Sequence, residues 1–299
     1  MRAPKPYKGE RGMSMKALLL ALLLAAGSLQ ALAQPAAVIE GVQMPAWRER
    51  DGKRAPLVPG MELRAGDRIL SGKEARIVLR LSEGSLVKLG ENGTLRLAEI
   101  EPSRDIFRAA LEVLQGAFRF TTDVAAKPRK REVSVRVDTV TIGIRGTDFW
   151  GRSRAEVQVV CLIEGAIRVG APGEPPVTMD QPRQFYRRDK GKTQPVGLVE
   201  PKQLGQWALE TDIETGKGAL RRGGRFSVAL YAAGEQPQAT SVRNQLREAG
   251  YPAEVTSRKE ADKTTYVVRI RYLPSRDEAQ ALAERLKGSF GISEPRVMP

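Results

Sequence analysis

Apolar and polar residues alternate over much of the first two thirds of the chain, and glycine interrupts the alternation at short intervals. Residues 75–100 read ARIVLRLSEGSLVKLGENGTLRLAEI, with breaks at Glu83-Gly84-Ser85 and at Asn92-Gly93. Alternation with period two is typical of strands with one buried face, and glycine readily accepts the positive φ of a hairpin turn. Similar runs with glycine breaks recur at 111–120, 132–146 and 156–170.

These repeated short strands predict an all-β domain over residues 38–195, built as a sandwich or as stacked hairpins. No segment of useful length within it has the period of a helix. A basic run at 127–131, KPRKR, is expected to lie in a solvated loop, since charge runs usually do.

One stretch of this domain, TVTIGIRGTDFWG at 139–151, breaks its own alternation. A glycine inside a strand pattern indicates a bulge or a close approach of another backbone, so Gly146 is predicted to bend the strand. Thr147 and Asp148 would satisfy the backbone groups that the bend frees. Phe149 would return to the core. Gly146, Thr147 and the later Gly165 are therefore predicted to be structural rather than catalytic.

The composition excludes several kinds of chemistry. The chain has 299 residues, no histidine and one cysteine, Cys161, which lies in an apolar run. Without histidine, Ser-His and Cys-His catalysis are excluded, and a lone cysteine forms neither an intrachain disulfide nor a thiolate cluster for zinc. Acidic residues near turns, Glu83, Glu91 and Asp148, are more typical of solvated positions than of a glycosidase pair. We therefore expect no enzyme, no catalytic residue, no metal and no cofactor.

The amino terminus resembles an export signal. Met15-Lys16 precede an apolar run from Ala17 to Gly27, and small residues follow at 31–33. This layout predicts a signal peptide over residues 1–33, cleaved after Ala33, with an uncleaved anchor as the alternative and a translation start at Met13 or Met15 left open. No later run is long enough to span a bilayer, so no stable membrane span is expected after cleavage.

The formal charge of +14 favours an anionic partner. Export argues against nucleic acid, and leaves the cell wall and the membrane surface. We expect a periplasmic, wall-associated protein.

The last quarter of the chain changes character. Strand patterns at 225–232, 253–258, 264–273 and 292–298, and helix patterns at 240–250 and 275–288, indicate the order β-α-β-β-α-β. This order is typical of the ferredoxin-like α+β fold, in which two helices cover one face of a sheet and leave the other bare. The chain is thus predicted to be multidomain. In the second helix, Ser275 is the expected N-cap and Glu278 occupies the capping-box position.

Residues 196–223 are predicted to connect the two domains. The stretch 200–214 has a helix pattern that begins with Pro201, and 215–225 is rich in Gly and Arg, which is typical of a linker.

Two families resemble parts of the chain. Residues of about 60–170 resemble the FecR domain through RIVLRLSEGSLVKLGENGTLRL, LEVLQGAFRF, VRVDTVTIGIRGTDFWG and VVCLIEGAIRVG, in that order. The resemblance implies a secreted β domain that acts as a scaffold or a sensor. The family's best-known members are membrane-spanning anti-sigma regulators, but this chain lacks their cytoplasmic portion and spanning helix, so that role does not carry over.

Residues of about 224–298 resemble the SPOR domain, the sporulation-related repeat. The resemblance is carried by LREAGY, TTYVVRI and PSRDEAQALAERL. It implies binding to peptidoglycan, typically to glycan strands stripped of their stem peptides.

Strand alternation predicts which residues of this C-terminal sheet form the bare face. An aromatic ring can stack on a sugar, and arginine can pair with carboxylates or donate to hydroxyls. The alternative to a binding surface is a solvated sheet face on which the arginines serve solubility. The sequence departs from the family pattern, which usually has Gln at position 229, Arg at 267 and Gly at 271. The predicted glycan-binding residues are Ser227, Ala229, Tyr231, Val267, Arg269 and Arg271.

Two functions follow from these patterns. In the first, the C-terminal residues 224–299 tether an exported, non-enzymatic protein to peptidoglycan, and residues 38–195 offer a second surface. In the second, the β domain relays an envelope signal to a membrane partner, and the C-terminal domain is a degenerate positioning fold. Peptidoglycan is thus the first expected partner, and another envelope protein is the open alternative.

Overall fold

The fold is taken from a computed structural model, which describes residues 35–103, 106–122, 130–260 and 263–299. The predicted signal peptide at 1–33 and most of the basic run at 127–131 lie outside the described residues. Residues 35–299 form one compact unit.

Strands β1–β17 hydrogen-bond into one large sheet system, with a single helix, α1, between β16 and β17. The predicted all-β character of this part is confirmed. The strands are β1 (Ala37–Gln43), β2 (Ala46–Arg50), β3 (Lys53–Pro56), β4 (Glu62–Leu63), β5 (Arg68–Ser71), β6 (Arg76–Leu81), β7 (Leu86–Leu89), β8 (Thr94–Pro102), β9 (Ile106–Thr121), β10 (Lys130–Val137), β11 (Val140–Arg154), β12 (Val157–Gly170), β13 (Val177–Met179), β14 (Gln184–Asp189), β15 (Lys192–Thr193), β16 (Gly197–Leu198) and β17 (Leu220–Arg221), and α1 is Pro201–Leu209.

The long strand β9 organises this sheet system. It pairs antiparallel with β7, β8 and β11 along different parts of its length, and parallel with β10. The turn at Glu83-Gly84 joins β6 to β7 as a hairpin, as its sequence predicts. The turn at Asn92-Gly93 instead leads from β7, which pairs with β6 and β9, to β8, which pairs with β5 and β9. The chain changes strand partners at this turn, which therefore does not close a simple hairpin.

Two layers of apolar side chains hold this sheet system together. The main core runs between its inner faces and includes Phe107, Phe118, Phe120 and Phe149, each at most 1% exposed. A second, smaller cluster lies on the opposite face, under helix α1. It contains Ala117, Trp150, Val159, Cys161 and Val199, with Leu204 and Trp207 of the helix packed against it.

The C-terminal part has the predicted element order β-α-β-β-α-β, and its α+β character is confirmed. Its four-stranded sheet has the order β19-β20-β18-β21. The finer assignment to the ferredoxin-like fold stays a prediction. The elements are β18 (Phe226–Ala233), α2 (Gln236–Glu248), β19 (Glu254–Glu260), β20 (Lys263–Leu273), α3 (Arg276–Leu286) and β21 (Arg296–Met298).

The segment after α1 is built into the fold rather than free. Ion pairs tie it to the β strands: Glu210 to Arg152 at 3.0 Å and Asp212 to Lys88 at 2.6 Å. Further along, β17 pairs with β1. The Gly/Arg-rich stretch predicted as a linker therefore connects the two parts as an ordered strap, defined here as residues 210–224.

The two parts also pack directly against each other. The indole Nε1 of Trp47 donates to the carbonyl of Glu248 at 3.0 Å, and the Ala46 amide donates to the carbonyl of Gly250 at 3.2 Å. Gly250 has φ +85°, and a Cβ there would lie 2.7 Å from the Trp47 ring. Only glycine combines this φ with such close contact, since other residues rarely adopt it.

Candidate functional site

The bare face of the C-terminal sheet carries a groove of about 830 Å³. All four strands of the sheet contribute to it, so it runs across the strands rather than along one of them. The strap and helix α1 are not among its lining residues. The groove is lined by Ala229, Leu230, Tyr231, Ala232, Thr256, Ser257, Arg258, Val267, Arg269, Ser293, Glu294, Arg296, Val297 and Met298.

Four of the six predicted residues lie at the groove: Ala229, Tyr231, Val267 and Arg269. Ser227 does not line the groove, although strand alternation predicted that it would. It pairs with Met298 of β21 and is only 5% exposed. The register between β18 and β20 also shifts between Phe226 and Val228, so simple alternation along β18 does not give the exposure of Ser227.

A bulge explains the altered position of Tyr231. Ala229 stands opposite Arg269, but the register shifts before Tyr231, which comes opposite the buried Val268. Tyr231 consequently packs against the core while it still reaches the groove. Ala232, which simple alternation assigns to the inner face, is exposed and lines the groove.

Arg269 and Arg271 share one acidic partner. The Nε atoms of Arg269 and Arg271 lie 3.0 and 2.7 Å from Oε1 of Glu254 on β19. The guanidinium of Arg271 also lies 5.3 Å from the ring centroid of Tyr272. Arg271, the sixth predicted residue, is exposed on the same sheet face but is not among the groove's lining residues.

Sequence reasoning missed the contributions of β19 and β21. The alternation of Glu254, Thr256 and Arg258 could have placed them on the bare face, because these residues lie at i, i+2 and i+4 of one strand. Nothing comparable was available for Arg296 and Met298, because β21 has three residues and its pairing with β18 is a tertiary contact.

The stretch around Gly146 is a bulged crossing of two strands. The register between β11 and β12 shifts on both sides of Asp148, and Gly146 has φ +63°. Opposite it lies Gly165, where a Cβ would be 2.4 Å from the Gly146 carbonyl. The Thr147 amide donates to Oγ1 of Thr122 at 3.1 Å. These contacts are structural.

The sequence suggested that Asp148 bonds to the freed backbone groups, but among the described residues its carboxylate is paired with the Arg119 side chain. Its carboxylate accepts two hydrogen bonds from Arg119, at 2.6 and 2.9 Å, and this pairing raises the pKa of Arg119. The bulge is thus fastened to β9 by an ion pair.

No reactive centre stands out in the described residues. Cys161 is fully buried, and burial raises its pKa to about 12, so it is not an available thiolate nucleophile. The described residues contain no group of three acidic or cysteine side chains arranged to hold a metal ion. In the same part of the chain, no helix has the length and hydrophobicity needed to cross a membrane.

Comparison with known families matches both parts of the chain. The family model described as FecR protein matches residues 67–168, and the model described as SPOR domain matches residues 223–294. The chain carries a FecR domain followed by a SPOR domain. Both predicted resemblances, and their order, are confirmed. The groove lies within the SPOR domain and at its C-terminal edge.

Comparison with whole proteins adds little. No curated protein matches the chain. Two crystal structures of a candidate anti-sigma factor from Parabacteroides distasonis ATCC 8503, at 1.65 and 2.50 Å resolution, are 13% identical to it. They cover 66% and 70% of this chain and 96% and 99% of their own, each with a TM-score of 0.39. Such a low TM-score supports no conclusion about fold or function.

Proposed function

We propose that this is an exported, wall-associated protein that binds peptidoglycan glycan strands in the groove of its SPOR domain. The observation that carries the proposal is an uncovered groove across all four strands of that sheet. Neighbouring strands are about 4.8 Å apart, so the groove extends over roughly 14 Å. That length suits an extended polymer better than a single small molecule.

The chemistry of the groove also suits a sugar chain. Ala229, Ala232 and Val267 are small and leave room over the sheet, while Tyr231 offers an aromatic edge. Hydroxyls of Thr256 and its neighbours can hydrogen-bond sugar hydroxyls. Such a mixture of apolar surface with a few placed polar groups is typical of ligand sites.

Two residues that the family usually carries are replaced by Ala229 and Val267. Both lie at the groove, so the substitutions exchange polar contacts for space. We propose that Arg269 supplies the charged contact from a neighbouring position, because a guanidinium pairs with carboxylates and donates to hydroxyls. The binding function would then survive with altered contacts.

In this proposal the FecR domain is a non-enzymatic scaffold or sensor in the periplasm. Its rigid attachment through the strap would hold it at a fixed orientation above the wall. The second function, an envelope regulator that contacts a membrane partner, remains a prediction that the groove neither requires nor excludes.

Co-sedimentation with purified sacculi tests the proposal. Residues 35–299 should pellet with sacculi, and more of the protein should pellet after an amidase has removed the stem peptides. A protein that stays in the supernatant at low salt, before and after amidase treatment, would contradict it.

A further inference from the structure

The bare face of the SPOR domain carries a three-residue charge cluster, here called the Glu254 clamp: Glu254, Arg269 and Arg271. Glu254 stands directly opposite Arg269 across the β19–β20 ladder. A single carboxylate oxygen, Oε1, receives both guanidinium groups, at 3.0 and 2.7 Å. One acidic residue therefore engages both of the arginines that β20 places on this face.

The clamp is neither buried nor fully solvated. The side chains of Arg269, Arg271 and Glu254 are 29%, 45% and 35% exposed. A ligand in the groove can reach these groups, and the partial burial makes their pairing stronger than that of a fully exposed pair.

We propose that Glu254 sets the ligand specificity of this groove by competing with acidic groups of the ligand for Arg269 and Arg271. This inference rests on the proposed function. A carboxylate on the ligand has to displace Glu254 or share the arginines with it, whereas a neutral sugar binds without breaking the clamp. Glu254 thereby lowers the affinity for acidic ligands and leaves the affinity for neutral sugar rings unchanged.

The net charge of the chain explains why such competition affects specificity. A chain with a formal charge of +14 attracts polyanions of every kind. Specificity is a difference between affinities, and a site gains it by disfavouring the wrong partners. An internal carboxylate on the two arginines makes binding depend on sugar contacts rather than on charge alone. The glycan itself is mildly acidic, because each muramic acid carries a lactyl carboxylate once its peptide is removed.

Helix α3 of the same domain provides a matched control outside the groove. Glu284 is exposed there, and its carboxylate accepts a hydrogen bond from Nε2 of Gln280 at 2.9 Å. Glu284→Gln thus removes the same charge from the same domain without releasing a clamped arginine.

The experiment measures binding of residues 35–299 to two soluble probes by calorimetry. One probe is a neutral oligomer of N-acetylglucosamine, and the other is amidase-stripped glycan of similar length. Glu254→Gln should bind the stripped glycan about tenfold more tightly than wild type, or about 1.4 kcal/mol, and the neutral oligomer equally well. Glu284→Gln should bind both probes as wild type does. Thermal unfolding checks that each variant is folded.

The outcomes separate the inference from the function on which it rests. If wild type binds the stripped glycan and Glu254→Gln binds it no more tightly, the specificity role of Glu254 is wrong and glycan binding stands. If Glu254→Gln gains equally for both probes, Glu254 acts by occupying space, and the inference also fails. If no variant binds either probe, the proposed function fails with it.

Discussion

Single residues join the two parts of this molecule, and Glu278 is the clearest of them. Ser275 caps helix α3 as predicted, since its Oγ accepts from the Glu278 amide at 3.2 Å. The Glu278 side chain, however, does not complete a capping box. It is 6% exposed, and its two oxygens accept from the amides of Gly216, Gly218 and Ala219 at 2.7, 2.7 and 3.0 Å.

Glu278→Ala should therefore lower the free energy of unfolding by about 3 kcal/mol, because it leaves buried amides of the strap without an acceptor. Urea unfolding of residues 35–299 measures the change. Glu284→Ala, on the exposed face of the same helix, is the control and should change stability by less than about 0.5 kcal/mol. Equal losses in the two variants would show that the contact to the strap is unimportant.

Glu83 is a buried carboxylate in the turn between β6 and β7, 5% exposed. Burial raises its pKa above the usual range, and the Ser85 hydroxyl and the Arg131 guanidinium offset this only in part. A raised pKa means that the ionised form costs stability in the folded state, and that this cost is relieved as the pH falls through the raised pKa.

Glu83→Gln should accordingly be more stable than wild type at neutral pH. The difference should shrink as the pH falls through the raised pKa toward the unfolded value of about 4.3. Urea unfolding at a series of pH values measures this. A difference that stays constant over the whole range would mean that the pKa of Glu83 is the same in the folded and the unfolded protein, and would contradict the raised pKa.

At the scale of elements, helix α1 covers the second apolar cluster through the aromatic contacts of Trp207. The rings of Trp207 and Trp150 are stacked, with centroids 4.7 Å apart and planes 9° apart. The ring of Phe185 meets Trp207 edge-on at 6.5 Å. The helix itself has no side-chain cap and no buried residue, so packing rather than local propensity holds it.

Trp207→Ala should destabilise the protein by about 2 kcal/mol, less than for a fully buried tryptophan because Trp207 is half-buried. It should also reduce the near-ultraviolet circular dichroism that stacked indoles produce. Leu209→Ala, in the same helix and 66% exposed, is the control and should alter neither property. If the two variants behave alike, the helix does not depend on the indole stack.

How far the elements could be predicted depends on whether their cause is local. Most strands and all three described helices follow from local patterns in the sequence, such as Pro201 at the start of α1 and Ser275 as the residue before α3. The sequence does not show whether a glycine within a strand pattern ends the strand or lies inside it. Gly116 and Gly165, with φ +94° and +85°, lie inside the continuous strands β9 and β12. A turn and a bulge both require positive φ, and the sequence does not distinguish them.

At the scale of the whole molecule, the two domains share one hydrophobic cluster. It extends from strand β1 through Leu220 of the strap to Leu282 of helix α3. A fragment that contains the SPOR domain alone would expose surface that Trp47 and the strap cover. For this reason each test uses residues 35–299.

The docking of the domains was beyond the reach of the sequence. Trp47 and Gly250 lie 203 positions apart in the sequence, and their contact depends on how the two segments are placed in the tertiary structure. The candidate groove could be predicted only in part, because its shape also depends on tertiary contacts. The faces of β18 and β20 follow from alternation. The bulge before Tyr231 and the burial of Ser227 do not, because they arise from register shifts against the paired strand.

Binding to sacculi by groove variants tests the central claim most directly, because a basic protein can adhere to an anionic wall through charge alone. The double variant Arg269→Ala with Arg271→Ala removes two positive charges at the bare face. Arg54→Ala with Arg64→Ala removes two from the FecR side of the molecule, where both arginines are about 60% exposed and ion-paired.

The measurement is the fraction of residues 35–299 that pellets with amidase-treated sacculi over a range of protein concentrations. The variant of Arg269 and Arg271 should bind about tenfold more weakly than wild type, and the control variant should bind nearly as wild type does. Equal weakening of both variants would contradict a specific groove and would leave only nonspecific attraction to the wall.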